Sequence, residues 1–208
     1  MKKIRYADLF CGIGAFHQAF KKNDTFRCVM ASDIDEGARR IYEANHGVRP
    51  AGDIRKIDAD DFPDVDLICA GIPCQSFSIA GRKLGFADQN GNLFWEVMRI
   101  VEAKRPRMVI IENVKNLASH DSGNTYRTIK ETLQDSGYNF FAKILDSSHY
   151  GSPQCRQRIF MVAVRDGEFV FPSKFANWVS VSSILKSSRH KEWDLSLIHI
   201  SEPTRQEA

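Results

Sequence analysis

Two short apolar runs, Val65–Ala70 and Met108–Ile111, constrain the fold of this chain more than any other feature. The first lies between Pro63 and Gly71, and the second ends in Glu112-Asn113. Runs so short and so continuously apolar are how strands of a parallel sheet read when both faces are buried. Further strands are predicted at Ile4–Leu9, Arg27–Ser32, Phe140–Leu145 and Arg158–Val164. The last two are expected to pair across the turn His149-Tyr150-Gly151-Ser152-Pro153. Between the strands the period changes to that of helices. A helix of about two turns should end near Lys22. Another should run from Asp35 to about Asn45, with Ala38, Ile41 and Tyr42 on one side. Leu93, Phe94, Val97, Ile100 and Val101 make a third that must stop before Pro106. Asn124–Asp135 makes a fourth, closed by Gly137.

Strands alternating with helices of ten to thirteen residues predict an α/β, doubly wound, mostly parallel sheet with helices on both faces. Ligands of such sheets bind at the carboxyl ends of the strands, where Asp33, Cys74 and Glu112 are expected to lie. The segment from Gly71 to Asn92 has no sustained period and is predicted to be a long functional loop.

At 208 residues, 43% of them hydrophobic, the chain is long enough for one domain with a substantial core. Its 29 basic and 26 acidic residues leave a formal charge of +3, so a nucleic-acid surface would have to be local. No apolar run reaches the roughly 18 residues of a membrane helix, and nothing after Lys2-Lys3 resembles a signal-peptide core, so a cytoplasmic protein is expected. The cysteines at 11, 28, 69, 74 and 155 include no Cys-x-x-Cys pair, which argues against a disulfide framework or a metal site.

Four groups could carry chemistry. A strand, then Gly12-x-Gly14, then a helix, with Asp33 nineteen residues beyond Gly14, is a layout that seats a nucleotide and holds its ribose. His17 stands where the dinucleotide fingerprint has its third glycine, which favours a cofactor without a pyrophosphate, S-adenosylmethionine being the obvious one. The bland reading is a tight turn with Asp33 as a helix cap. Cys74 heads a glycine-bearing loop just past a buried strand, where a thiol can be exposed and nucleophilic; an inert cysteine is the alternative. Glu112 emerges after four apolar residues, placed to give a proton to a base ring, or else to cap a helix or pair with Arg107. Arg156-x-Arg158, beside Gln154, puts two cations on one side of a strand start, where they can grip a phosphate or a carbonyl oxygen, or stay solvated.

Taken together, these segments resemble the DNA cytosine-5 methyltransferase family, in particular its short bacterial restriction-modification members. Asp8-Leu9-Phe10-Cys11-Gly12-Ile13-Gly14 is similar to the family's first cofactor motif, and Gly71-Ile72-Pro73-Cys74-Gln75-Ser76-Phe77-Ser78 to its catalytic loop. Glu112-Asn113-Val114 resembles the glutamate motif and Tyr150-Gly151-x-Pro153-Gln154-x-Arg156-x-Arg158 the arginine motif. The resemblance implies the Rossmann-like methyltransferase fold and an S-adenosylmethionine site lined by Phe10, Gly12, Gly14, Asp33, Ile34, Asp53, Ile54, Pro73 and Leu93. Asp33 would hold the ribose, Ile34 would pack on the adenine and Asp53 would accept from its amino group. Cys74 would be the nucleophile, Glu112 the group at the cytosine N3, Arg158 the holder of O2, and Arg156 its assistant. Gln75, Ser76, Ser78 and Asn113 would shape the substrate loop. The implied partner is double-stranded DNA, with a monomeric enzyme and a restriction endonuclease acting on the same site without being bound.

The family continues into a recognition domain and a final Gly-Asn motif, and neither is found here, so the resemblance implies an incomplete chain. Residues 1–186 would be the catalytic domain, with Val179–Leu185 beginning a hinge helix. Residues 187–208 read as an irregular tail, which from about Asp194 resembles translated adapter or vector sequence. Three other readings stay open: a relative acting on transfer RNA, although the Cys-Phe-Thr of those enzymes is not seen; a cofactor-binding remnant without turnover; and a Rossmann oxidoreductase.

Overall fold

The computed structural model describes residues 3–73, 93–175 and 179–180. Its strands are β1 (Ile4–Leu9), β2 (Phe26–Ser32), β3 (Leu67–Gly71), β4 (Met108–Val114), β5 (Asn139–Asp146) and β6 (Gln157–Val164). Its helices are α1 (Ala15–Phe20), α2 (Glu36–His46), α3 (Leu93–Lys104) and α4 (Asn124–Asp135). They form one sheet of order β2-β1-β3-β4-β6-β5. The first four strands in that order run parallel, and β6 lies antiparallel between β4 and β5. The chain steps outward from β1 to β2, then returns to lay β3 on the other side of β1. The direction of winding therefore reverses between β1 and β3, and that reversal leaves a crevice beyond their carboxyl ends.

Alternation along the strands separates two apolar faces. Ala7, Leu9, Ile68, Ala70, Val109 and Ile111 face Val97 and Ile100 of α3 and Ile129 and Leu133 of α4. On the opposite face Tyr6, Leu67 and Cys69 meet Phe16 and Phe20 of α1. Only six residues long, α1 leaves the sheet uncovered beyond it. A cavity of about 660 Å³ opens there between Phe16 and Ala19 on one side and Phe160 of β6 on the other.

Several boundaries differ from the pattern, each for a local reason. β3 begins at Leu67 because Asp66 turns out of line: its Oδ2 accepts the Arg5 amide, and its carbonyl accepts the amides of Arg107 and Met108. β4 runs past its apolar run to Val114 because Glu112, Asn113 and Val114 pair with Phe160, Ile159 and Arg158 of β6. Glu112 therefore lies inside a strand rather than beyond its end. α1 stops at Phe20, shorter than the helix expected to reach Lys22. In α2 only Tyr42 is buried, while Ile41, expected on the same side, is 49% exposed. No helix among the described residues is long and apolar enough to cross a membrane.

Ile68 is fully buried in the middle of β3, between two partner strands. Ile68→Ala should lower unfolding stability by roughly 2–5 kcal/mol, read as a fall in the urea midpoint at unchanged slope. An unchanged midpoint would contradict the central position of β3.

Candidate active site

The glycine turn follows β1 directly. Gly12 and Gly14 have φ of 52° and 95°, a backbone region that glycine enters without steric cost. Phe10 enters it too, at 53°, and lines the cavity. The register Leu9↔Ser32 puts the turn beside the end of β2. There the Cys11 amide donates to the Ser32 carbonyl at 3.0 Å, and the Gly12 amide donates to Asp33 Oδ2 at 2.8 Å. Asp33 Oδ1 accepts the Asp35 amide at 2.9 Å. The cap of α2 is Asp35, which accepts from the Ala38 amide, so Asp33 is not the helix cap that the sequence left open. Each Asp33 oxygen keeps a lone pair for a further donor, such as a ribose hydroxyl. The space that a side chain on Gly12 would fill is open.

Residues 51–53 run beside the end of β2, with the Asp33 amide donating to the Ala51 carbonyl at 3.0 Å, and this brings Asp53 to the same edge. The Arg55 guanidinium, donating to Asp53 at 2.6 Å, holds the Asp53 carboxyl below the usual carboxylate range. Ile13 and Ile34 leave 60% and 68% of their surface exposed, two apolar side chains that the core does not use. Ile54, expected to line the cofactor site, instead puts its side chain in the core. The reason is the short helical turn of residues 54–56, which turns Ile54 inward while Asp53 caps it.

At the other side of the crevice stand the residues expected to do chemistry. Glu112 Oε1 pairs with Arg158 Nε at 2.9 Å, both half-buried. The antiparallel register explains the pair: Phe160 is opposite Glu112, so Arg158 is its diagonal neighbour on the same face, within reach of a long side chain. Arg107, the alternative partner, lies at the far end of β4. Arg156 precedes β6 and lines the cavity beside Arg158. A second, polar cavity of about 500 Å³ adjoins it, lined by Lys115, Gln154, Arg156 and Gln157. A side chain on Gly71 would lie 3.8 Å from both Glu112 Oε2 and the Phe10 carbonyl, so the end of β3 joins the two sides of the crevice. Buried Asn113 donates to the Ile72 carbonyl at 2.9 Å and so tethers the chain immediately before exposed Pro73. Cys74, Gln75, Ser76 and Ser78 lie outside the described residues. Leu93 opens α3, half-buried against the core.

Sequence reasoning missed one carboxylate. Asp8 is 1% exposed yet lines the cavity, with Oδ1 bonded to nothing among the described residues and Oδ2 accepting from the Tyr42 hydroxyl at 3.4 Å. Burial pushes it up to about 7, against the lowering effect of Tyr42 and the His17 amide. A charged residue inside the otherwise apolar end of β1 was the signal for it. Burial likewise pushes the thiols of Cys11, Cys28 and Cys69 up, which keeps them protonated and unreactive.

A doubly wound sheet with a glycine turn and the Asp33 carboxylate at its switch point, and a Glu-Arg pair on the neighbouring strands, is the fold of the Rossmann-like methyltransferase class. A profile of the family described as C-5 cytosine-specific DNA methylase matches residues 4–200. The chain is 44% identical over 176 residues to the type II methyltransferase M.HhaI of Haemophilus parahaemolyticus, covering 83% of this chain and 54% of that protein. It is 43% identical over 188 residues to M.NgoBI of Neisseria gonorrhoeae, covering 89% and 58%. Among solved structures, the S. pombe Dnmt2 methyltransferase matches with a TM-score of 0.65 at 27% identity, covering 81% of this chain and 52% of that one. The chain belongs to the C-5 cytosine-specific DNA methylase family. It spans between half and three-fifths of the length of these two type II relatives.

Asp8 supplies a stability test. Between its ordinary value of 3.8 and about 7, the folded state holds more protons there than the unfolded state, so its contribution to stability falls as pH rises through that window. Asp8→Asn should therefore match the wild type near pH 4 and be more stable above pH 7, by on the order of 3 kcal/mol. Thermal melts at the two pH values that coincide for both proteins would contradict the assignment.

Proposed function

We propose that this chain is the cofactor-binding and catalytic part of an enzyme that methylates C5 of cytosine in double-stranded DNA from S-adenosylmethionine. The observation that carries this reading is the meeting of three motifs at Gly71, within contact of the Phe10 carbonyl of the glycine turn and of Glu112, itself paired with Arg158. The described residues fit the cofactor: the positive-φ turn leaves open space at Gly12, Asp33 has acceptor capacity left, and Ile13 and Ile34 offer exposed apolar surface for a flat ring. Asp33 would hold the ribose and Ile34 the adenine. Asp53 would accept a hydrogen bond from the adenine amine in place of the one it now takes from the Arg55 guanidinium.

When bound, the cofactor supplies an electrophilic methyl group on a sulfonium. Cytosine C5 is too electron-poor to take it unaided, so this chain's residues must first enrich the ring. The Cys74 thiolate adds at C6, forming the S–C6 bond as the C5–C6 double bond opens. Glu112 supplies the proton that N3 takes up as charge moves into the ring, and Arg158 holds O2 while orienting Glu112. After methylation the C5 proton leaves to a base, the S–C6 bond breaks, and the thiolate departs. A cytosine stacked in a duplex exposes neither face of its ring, so the base must be flipped out to reach this crevice. The basic cleft at Lys115 and Arg156 is suited to the backbone phosphates beside it. Asn113, through the Ile72 carbonyl, would set where Cys74 starts its approach.

Calorimetric titration of the folded 208-residue chain with S-adenosylhomocysteine should show micromolar binding that Asp33→Ala abolishes. No binding by a folded wild type would overturn the cofactor reading. Methyl incorporation into mixed-sequence duplex DNA should vanish in Cys74→Ser and fall by at least about a hundredfold in Glu112→Gln. Incorporation into transfer RNA and not into DNA would replace the substrate class.

A further inference from the structure

Beneath the glycine turn lies a cluster that the transfer chemistry does not use. The His46 ring of α2 lies against Gly14: a Cβ there would come within 2.3 Å of His46 Nε2, so the imidazole occupies the space a Gly14 side chain would need. The same Nε2 lies 3.2 Å from the Ile13 carbonyl oxygen. A carbonyl only accepts, so His46 carries its proton on Nε2. His17 of α1 stacks on His46, with ring centroids 4.2 Å and planes 15° apart. His17 Nδ1 lies 2.8 Å from the Tyr42 hydroxyl, which donates to Asp8 Oδ2. With its own hydrogen directed at Asp8, the Tyr42 oxygen accepts from His17 Nδ1–H. A continuous line of contacts therefore runs from the end of β1, through both rings, to the peptide between Ile13 and Gly14.

We propose that the stacked His17–His46 pair is a positioning latch for the glycine turn, holding it in its cofactor-receiving shape only while the His17 ring is neutral. The proposal rests on the cofactor reading above and adds a role for residues that reading leaves idle. A proton added to the His17 ring places a cation face to face with the His46 imidazole in a half-buried site. The groups facing His17 are Tyr6 and Asp8 of β1, Cys28 of β2 beside Tyr42, Tyr42 and His46 of α2, and Lys21 just past its own helix. Burial first, then His46 and Lys21, holds His17 below its ordinary 6.5. A base lowered in this way contributes fully above pH 6.5, and its contribution is lost as pH falls through the lowered value. Asp8 runs the other way for overall stability, since its burial favours the protonated form below about 7, while its charge above that value strengthens the one bond from Tyr42.

The test compares wild type with His46→Ala, His46→Gln and His17→Asn, each checked for folding by circular dichroism. Gln and Asn keep a donor near the original nitrogen and do not titrate. Two readouts are taken at about pH 8 and about pH 5.5: the dissociation constant for S-adenosylhomocysteine, and the Gly12 and Gly14 amide resonances without ligand. Wild type should bind about tenfold more weakly at the lower pH, with both amides shifting along the same titration. His46→Ala should bind about fivefold more weakly at the higher pH, the worth of one hydrogen bond, and His46→Gln should restore it. His17→Asn, which removes the stack, should bind more weakly than wild type at the higher pH and lose the pH dependence of both readouts. Unchanged affinity in His46→Ala, or an identical pH dependence in His17→Asn, would overturn the latch. Amides that titrate with His17 in a chain that binds no S-adenosylhomocysteine would sink the cofactor reading and leave the coupling of the histidines to the turn intact.

Discussion

The parallel pairing of β1 with β3 is the constraint on which everything else in this protein depends. Both strands are buried on both faces, and their register, Leu9 opposite Ala70, sets the height at which each chain leaves the sheet. Because winding reverses between them, the glycine turn and the Ile72-Pro73 exit diverge and leave room for a ligand. A slip of one residue would exchange the faces of every side chain on the strand. Asp8 would then enter the apolar layer with Ile68 and Ile111, and Leu9 would enter the crevice. No such arrangement could keep both the core and the site, so the packing of α3 and α4 on one face indirectly determines the chemistry on the other.

Carboxylates at this edge show how position decides behaviour. Asp8 and Glu112 lie on the same face of neighbouring parts of the sheet, and both reach the same cavity. Asp8 lies in β1 between β2 and β3, and among the described residues its only side-chain donor is Tyr42, so desolvation dominates it. Glu112 lies where α1 no longer covers the sheet, and a diagonal neighbour supplies a guanidinium. Asp33 belongs to neither type. It spends part of its acceptor capacity on the Gly12 amide, so one side chain both shapes the turn and faces outward for a donor. The turn is thus held from above by Asp33 and from below by His46; at 12 and 14 glycine takes the left-handed backbone without the strain a side chain would bring, and at 14 the His46 ring also fills the space a side chain would need.

Alternating apolar runs and helical periods were enough to locate the six strands and four α-helices of the described residues to within a few residues, since burial on one or two faces imposes those periods directly. The four motifs were also legible, because chemistry needs particular residue types at strand ends. Pairing was not. Nothing in Glu112 itself distinguishes Arg107 from Arg158 as its partner; the antiparallel ladder of β4 with β6 does, by putting one within diagonal reach and the other at the opposite end of the strand. Ile41 and Tyr42 share a helical stripe in the sequence, yet only Tyr42 turns inward, to pack with Cys28 and Ala31 of β2, a contact that periodicity does not encode.

By itself, then, the sequence determined the elements, the sheet class and the family, which follow from local periodicity and the order of the motifs. Tertiary structure alone decided which groups meet. The Asn113 bond to the Ile72 carbonyl, the Asp8–Tyr42–His17 line and the stack of His17 on His46 join residues from different elements, 25 to 41 positions apart for the hydrogen bonds from His17 and Asn113. Such contacts depend on strand order and helix placement, which arise from the simultaneous burial of every apolar face and cannot be read from any one segment.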